Sequence, residues 1–167
     1  MKRVIALSDS HGDTANLRDA VLLARRLGAI DALVFLGDGL SDFEEIQPFL
    51  GTVCPEAALY AVRGNNDWRF SAPNDLAFNA NGVKFYACHG HEWHVKYGRD
   101  RLCYAAREHG AAVALYGHTH RSHLETAYGV TLINPGAVCE RTAKKAACAE
   151  ICVGEDGTLR TDLLRWE

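Results

Sequence analysis

Apolar and polar positions along this chain follow two periods, and each apolar run ends in a polar loop. The run from Arg3 to Leu7 halts at Ser8-Asp9-Ser10-His11-Gly12 and reads as a strand entering a loop. Leu17, Ala20, Val21, Ala24 and Leu27 then recur at helical spacing and lay one apolar stripe along a helix. Asp13 or Thr14 supplies its N-cap and Gly28 its stop. Ala32 to Leu36 predicts a second strand, running into Gly37-Asp38. A shorter helix is expected from about Asp42 to Leu50, stopping near Gly51. Leu59 to Val62 predicts a third strand, running into Arg63-Gly64-Asn65-Asn66-Asp67. Strand, helix, strand, helix, strand is the pattern of a parallel sheet with crossover helices.

The second half changes character. Leu76 to Phe78 and Val83 to Cys88 flank Asn79-Ala80-Asn81-Gly82, a hairpin signal. A helix from Arg99 to His109 follows, and Ala112 to Tyr116 reads as a short buried strand. His123 to Tyr128, Val130 to Ile133, Ala146 to Val153 and Leu159 to Leu164 complete the strands, with turns at Tyr128-Gly129 and across 154–157. This half reads as a mostly antiparallel sheet. Two sheets with helices outside give the expected fold, a four-layer α/β/β/α sandwich.

At 167 residues the chain is expected to form one domain, 1–167, large enough to bury a sizeable core. A formal net charge of -3 gives no basic footprint for nucleic acid, but a phosphate substrate stays open because bound metals supply local positive charge. The run Val4-Ile5-Ala6-Leu7 is shorter than the ~7–15 apolar residues of a secretory leader. No segment approaches the ~20 apolar residues of a membrane span, so a cytoplasmic location is expected. Cys54, Cys88, Cys103, Cys139, Cys148 and Cys152 form no C-x-x-C and sit among apolar neighbours, as buried free thiols do.

The polar loops carry the chemistry. Asp9-Ser10-His11, Gly37-Asp38, Gly64-Asn65-Asn66-Asp67, His89-Gly90-His91 and Gly117-His118-Thr119-His120 all stand after or near strands. Open α/β sheets gather their sites outside the carboxyl ends of strands, so loops far apart in sequence can meet there. Singly, Asp9 and Asp38 could be helix N-caps, and His118 and His120 could be surface histidines. As a set with Asn65 and His89, they match the needs of two divalent metals ~3.5–4 Å apart, which activate water and clamp phosphoryl oxygens. Asp38, between two glycines, is the natural bridging carboxylate. Asp9 and His11 can face one ion, and His118 and His120 can reach one ion each. Mixed oxygen and imidazole donors suit manganese, iron, cobalt, nickel or zinc.

These blocks, in this order, resemble the calcineurin-like metallophosphoesterases, in particular their small bacterial and archaeal phosphodiesterase branch, which is itself similar to a eukaryotic retromer subunit. The family pattern reads D-x-H, GD, GN-x-D, H and GH-x-H, and the resemblance spans Val4 to Leu164. It implies that Asp9, His11 and His120 hold one metal and Asn65, His89 and His118 the other, with Asp38 bridging. It implies two divalent ions per chain, manganese first among the candidates, and hydrolysis of a small phosphodiester. It also implies groups behind the ligands that fix the imidazole tautomers, with Asp67 and the backbone near Asn134-Pro135-Gly136 as candidates. Small members of the family often self-associate.

Larger members carry a histidine where this chain has Asn66, which can donate a hydrogen bond but cannot give up a proton near neutral pH. His91 and a water are then the candidate proton donors. The catalytic set is accordingly Asp38, Asn65, Asn66, Asp67, His89 and His91. Arg63 stands between a phosphate contact and a surface ion pair, and Trp68, Trp93 and Tyr97 between pocket walls and ordinary packing. Nothing places His94, His109 or His123 in the site. Two other functions compete with the phosphodiesterase: a non-catalytic interaction scaffold on the same fold, and a phosphomonoesterase or nuclease. The complete ligand set argues against the scaffold. The acidic balance, with no stripe of aromatic and basic residues, argues against a nuclease.

Overall fold

The computed structural model describes residues 1–139 and 145–166. Among the described residues, ten strands form two five-stranded sheets. The first has the order β10 (Leu159–Trp166), β9 (Ala146–Val153), β1 (Lys2–Leu7), β2 (Ala32–Phe35), β3 (Ala58–Ala61). The second has the order β4 (Asp75–Ala80), β5 (Val83–Cys88), β6 (Val113–Leu115), β8 (Val130–Asn134), β7 (His123–Ala127). Helices α1 (Thr14–Leu27), α2 (Leu40–Glu45) and α3 (Gln47–Val53) cover the first sheet, and α4 (Asp100–Glu108) covers the second. The result is the expected four-layer α/β/β/α sandwich of two mixed sheets flanked by helices.

The two-residue period of each strand divides its side chains between layers. On β1, Val4 and Ala6 enter the core between the sheets, where they meet Val34, Phe85, Ala87, Leu115 and Ile151. Ile5 and Leu7 face the other way, onto Leu17, Ala20, Val21 and Ala24 of α1. Tyr86 and Cys88 of β5 turn to the fourth layer, onto Leu102, Ala105 and Ala106 of α4. Strands covered on both faces explain why the β1 and β2 sequences are apolar without interruption. Each fully buried Leu, Ile, Val or Phe contributes ~1.5–3 kcal/mol. Arg3 is buried at the start of β1, where its guanidinium pairs with Glu150 and donates to the carbonyls of Ala29 at 2.9 Å and Ala24 at 2.7 Å.

Three expectations need correction. The helix expected from Asp42 to Leu50 is two helices parted at Ile46, and Gly51 lies inside the second. Pro48, in the first turn of α3, has no N–H to offer the preceding turn, so the chain restarts there. Leu27 does not share the buried stripe of α1 and is 57% exposed. The second half is not a separate, mostly antiparallel sheet. β9 and β10 join the first sheet, with β9 antiparallel to β1, while β6 runs parallel to both β5 and β8. The other elements match their expected spans to within a few residues. Asp13 caps α1 by accepting from the Asn16 amide at 3.1 Å, and Asn81-Gly82, both at positive φ, close the β4–β5 hairpin. All six cysteines are buried. Among the described residues, no helix is long and apolar enough to cross a membrane.

Candidate metal centre

Register sets where the polar loops emerge. Leu7 pairs with Phe35 and Phe35 with Ala61 in the first sheet, and Ala87 pairs with Leu115 in the second. The loops after β1, β2, β3, β5 and β6 therefore leave the sheets side by side. Backbone bonds extend the alignment past the strands: Asp9 N–H to the Gly37 carbonyl at 3.0 Å, His11 N–H to Asp38 at 3.1 Å, and Gly117 N–H to His89 at 2.9 Å. Two further bonds tie the sheets together. The His118 N–H donates to Asp9 Oδ2 at 3.1 Å, and His89 Nδ1 donates to the Leu36 carbonyl at 2.7 Å.

Two groups of side chains result, Asp9, His11 and His120 in one and Asp38, His89 and His118 in the other, each with its ligand atoms within 4.8 Å of one another. In the first, His11 Nε2 and His120 Nε2 lie 3.2 Å apart and stand 3.4 Å and 3.1 Å from Asp9 Oδ1. Ligands about 2.1 Å from a common ion are spaced by about 3–3.4 Å. The groups interlock through their carboxylates. Asp38 Oδ2 lies 3.4 Å from His89 Nε2 and 3.9 Å from His11 Nε2, and Asp9 Oδ1 lies 4.0 Å from His89 Nε2. Asp38 thus stands between them, where a bridging anion belongs.

The buried lone pairs fit a cation. Asp9 Oδ1 and His89 Nε2 are buried without a hydrogen-bond partner. Such atoms are costly to leave bare and point to a ligand. The other atom of each group is used to aim it. Asp9 Oδ2 accepts from Ser8 Oγ at 2.5 Å and from the His118 amide, which leaves Oδ1 for the histidines. The His89–Leu36 bond places the proton on Nδ1 and frees Nε2.

Strained backbone marks the same residues. Asp9, His11, Asp38, His118 and His120 all have φ between 44° and 69°. Non-glycine residues in this region cost of order 1 kcal/mol each and persist where surrounding contacts hold them. The contacts here are specific. Asp67 is buried and accepts four backbone N–H groups: Asp38 at 2.6 Å, Gly64 at 2.9 Å, Gly39 at 3.0 Å and Leu40 at 3.1 Å. Asp42, also buried, holds the His11 loop through Ser10 Oγ at 2.5 Å and the Gly12 amide at 2.8 Å. Asn134 Nδ2 donates to the Gly117 carbonyl and to Thr119 Oγ1, both at 3.0 Å, and so holds the His118–His120 loop. Gly64 is required by contact: any Cβ there would overlap Asp38 Oδ1.

These bonds correct several roles. Asp67 aims the Asp38 loop and contacts no imidazole; the His89 tautomer is set by Leu36. Near Asn134 it is the side chain, not the backbone, that acts on the histidine loop. Asn66 turns its amide onto Asp38, with Nδ2 2.8 Å from Oδ2 and the backbone N–H 2.9 Å from Oδ1. Asn65, on the same turn, is exposed and hydrogen-bonds through its side chain to none of the described residues. The structure therefore brings Asn66, rather than Asn65, onto the central carboxylate. His91 stands beside the second group, its ring 5.4 Å from that of His89 and 6.2 Å from that of His118.

Arg63 forms no ion pair among the described residues. It donates to Asn74 Oδ1 at 2.9 Å and 3.1 Å and to the Phe70 carbonyl at 3.3 Å, closing the loop after β3. Trp68 is 71% exposed beneath Arg69, while Trp93 and Tyr97 help line a cavity of about 460 Å³ beyond His91. His109 caps α4 and donates to the Ala105 carbonyl at 2.8 Å. Ser8, Ser10, Asp42 and the Asn134 side chain were missed in the sequence. The signal for the serines was their place beside Asp9 in the first polar loop.

Charge is balanced toward binding. Burial opposes ionisation of Asp9, but the close imidazoles of His11 and His120, the charge of His89 and the Ser8 hydroxyl hold its carboxyl well below the usual range. Burial likewise opposes Asp38, and His89 and Asn66 outweigh it. Burial, followed by His89 and Lys96, lowers the His118 pKa to about 4, so this ring is neutral. The hydrogen bond with Asp9 raises His11, and Asp38 and Asp9 raise His89 against its burial. A group with a raised folded pKa keeps its proton to higher pH, and that proton must leave before the ring can bind a cation. Metal affinity is therefore expected to rise with pH through the upper histidine range, with protons released. Calorimetric titration with manganese at about pH 6 and pH 8 checks this; equal affinities would rule it out.

The chain is similar to known proteins in sequence and in fold. The chain is 32% identical, over 135 residues, to a probable metallophosphoesterase of Bacillus subtilis, covering 81% of this chain and 74% of that protein. An archaeal phosphodiesterase of solved structure superposes with a TM-score of 0.73 at 22% identity, over 97% of this chain and 99% of that one. Vacuolar protein sorting 29 of Cryptosporidium parvum also superposes with a TM-score of 0.73, at 15% identity, over 99% of this chain and 97% of that one. Both structural likenesses show the fold alone. The model of the calcineurin-like phosphoesterase superfamily domain matches residues 1–155, and the chain belongs to that family.

Proposed function

We propose that the chain acts as a single cytoplasmic domain, 1–167, that hydrolyses small phosphodiesters with two divalent metal ions. The observation that carries this is the pair of interlocked groups whose buried lone pairs, Asp9 Oδ1 and His89 Nε2, face one another's ligand atoms without a hydrogen-bond partner. Asp9, His11 and His120 would hold one ion and His89 and His118 the other, with Asp38 shared and Asn65 the further ligand that the family pattern implies for the second. Manganese is the first candidate, with nickel, iron, cobalt or zinc also suited to mixed oxygen and imidazole donors. Bound there, two divalent ions make water nucleophilic at neutral pH and neutralise the phosphoryl oxygens.

The chain's own residues do the positioning. Asp38 contributes the shared negative charge, held by Asp67 through its backbone and by Asn66 through its carboxylate. The neutral His118 offers its lone pair without first losing a proton. Neither Asn66 nor His91 is suited to protonate a departing alcohol. Asn66 is occupied by Asp38, and burial, then His89, lowers the His91 pKa and disfavours its protonated form. Leaving groups that depart without a proton are therefore favoured.

A second reading, a non-catalytic interaction scaffold, is supported by the likeness to vacuolar protein sorting 29. Kinetic assay of protein reconstituted in turn with each of the five metals separates the two. Aryl phosphodiesters should be turned over, and faster than alkyl monoesters, with loss of rate on chelation. Metal binding without turnover of any diester would leave the scaffold. Equal aryl and alkyl rates would sink the missing acid.

A further inference from the structure

We propose that the cavity next to the His118–His120 loop is an anion subsite that receives a second phosphate group of the substrate. It is lined by Lys96, Arg99, Thr119, Arg121, Ser122 and His123 and encloses about 520 Å³, room for a phosphate and the atoms that link it to the scissile ester. The inference rests on the phosphodiesterase reading above.

Position is the first argument. Thr119 lies between His118 and His120, so the cavity and the metal centre share a loop. That loop is held by Asn134, which fixes Thr119 Oγ1 at 3.0 Å.

Charge is the second. Four cationic or ionisable nitrogen side chains line this cavity, and one carboxylate serves them. Glu125 Oε2 takes Arg99 Nε and His123 Nε2, each at 3.0 Å. Lys96 and Arg121 have no carboxylate partner among the described residues, although both line this cavity. Unpaired cations beside a centre built for divalent cations repel them. That repulsion is offset when an anion sits between, and a phosphate bound by lysine and arginine is such an anion. A chain that only had to hold metal would be better served by carboxylates here.

The test compares three p-nitrophenyl diesters on the manganese-reconstituted full chain: the ethyl ester, the 2-phosphoethyl ester and the 2-carboxyethyl ester. The 2-phosphoethyl ester should exceed the ethyl ester in kcat/KM by on the order of tenfold. That ratio should fall toward one in Lys96→Ala/Arg121→Ala, whose altered side chains are both exposed, and persist in the distant control Arg160→Ala. A wild-type ratio near one, or a ratio kept by the double variant, overturns the subsite. A carboxylate preference equal to the phosphate preference overturns its assignment to phosphate.

A second readout is independent of turnover. Inorganic phosphate titrated into the metal-free full chain should shift the amide resonances of Thr119, Arg121 and Ser122, and should not shift them in the double variant. No shift, or the same shift in both, overturns the subsite. If none of the three esters is hydrolysed, the phosphodiesterase reading fails and this titration alone decides the subsite.

Discussion

Asp38→Asn is expected to lower phosphodiester hydrolysis by on the order of a thousandfold while the fold survives. The substitution keeps the shape of the side chain and removes its charge. Asp38 Oδ2 is within 3.9 Å of imidazoles from both groups and accepts the Asn66 amide. Asp9 Oδ1 also comes within 4.0 Å of His89 Nε2 but stands closer to His11 and His120, so it replaces the shared charge of Asp38 only in part. The fold is expected to survive because Asp67 holds the loop through the Asp38 backbone, which the change does not touch. His89→Ala should act in the same direction, since it removes a buried ligand that faces both carboxylates. Steady-state assay with circular dichroism checks both, and activity retained in both variants would refute the assignment of these residues.

Asp67→Ala carries the largest expected effect on stability. One buried carboxylate satisfies the N–H groups of Asp38, Gly39, Leu40 and Gly64, and its loss leaves buried donors without acceptors. Hydrogen bonds to a charged group are worth more than neutral ones, and the expected loss is about 3–5 kcal/mol. That is a large part of the ~5–15 kcal/mol that holds a domain folded. The loss reaches function through Asp38, whose left-handed backbone at φ 58° depends on these bonds. Urea unfolding should show a clearly lower midpoint, with weakened metal binding in the fraction that stays folded. A midpoint within error of the wild type would mean that the loop is held by something else.

Much of this was legible in the sequence because it is local. The stripe from Leu17 to Ala24 and the apolar runs of β1 and β2 carry their burial in their spacing. The loop residues Asp9, His11, Asp38, His89, His118 and His120 stood out as charged or imidazole side chains directly after strands. What was not legible is non-local or conformational. That β9 would leave its sequence neighbours and pair with β1 is a contact across most of the chain, and no periodicity records a partner. The division of α2 from α3 was signalled by Pro48, a residue tolerated in a first turn and disruptive later.

The turn after β3 shows where residue type runs out. Asn65 and Asn66 are chemically identical, and only backbone direction decides which amide meets Asp38. The supports were hidden for a related reason. Asp67, Asp42 and Asn134 act on backbone amides and loops rather than on the ligand rings, and such partners follow from close packing of turns. The recurrence of left-handed φ at five ligand-type residues is likewise a property of the fold.

The central claim is that the two interlocked groups each hold a divalent ion. Anomalous diffraction from crystals of manganese-reconstituted protein tests it most directly. Two peaks are expected, one among Asp9, His11 and His120 and one among His89 and His118, with Asp38 between them. A single peak, or none among these residues, would contradict it.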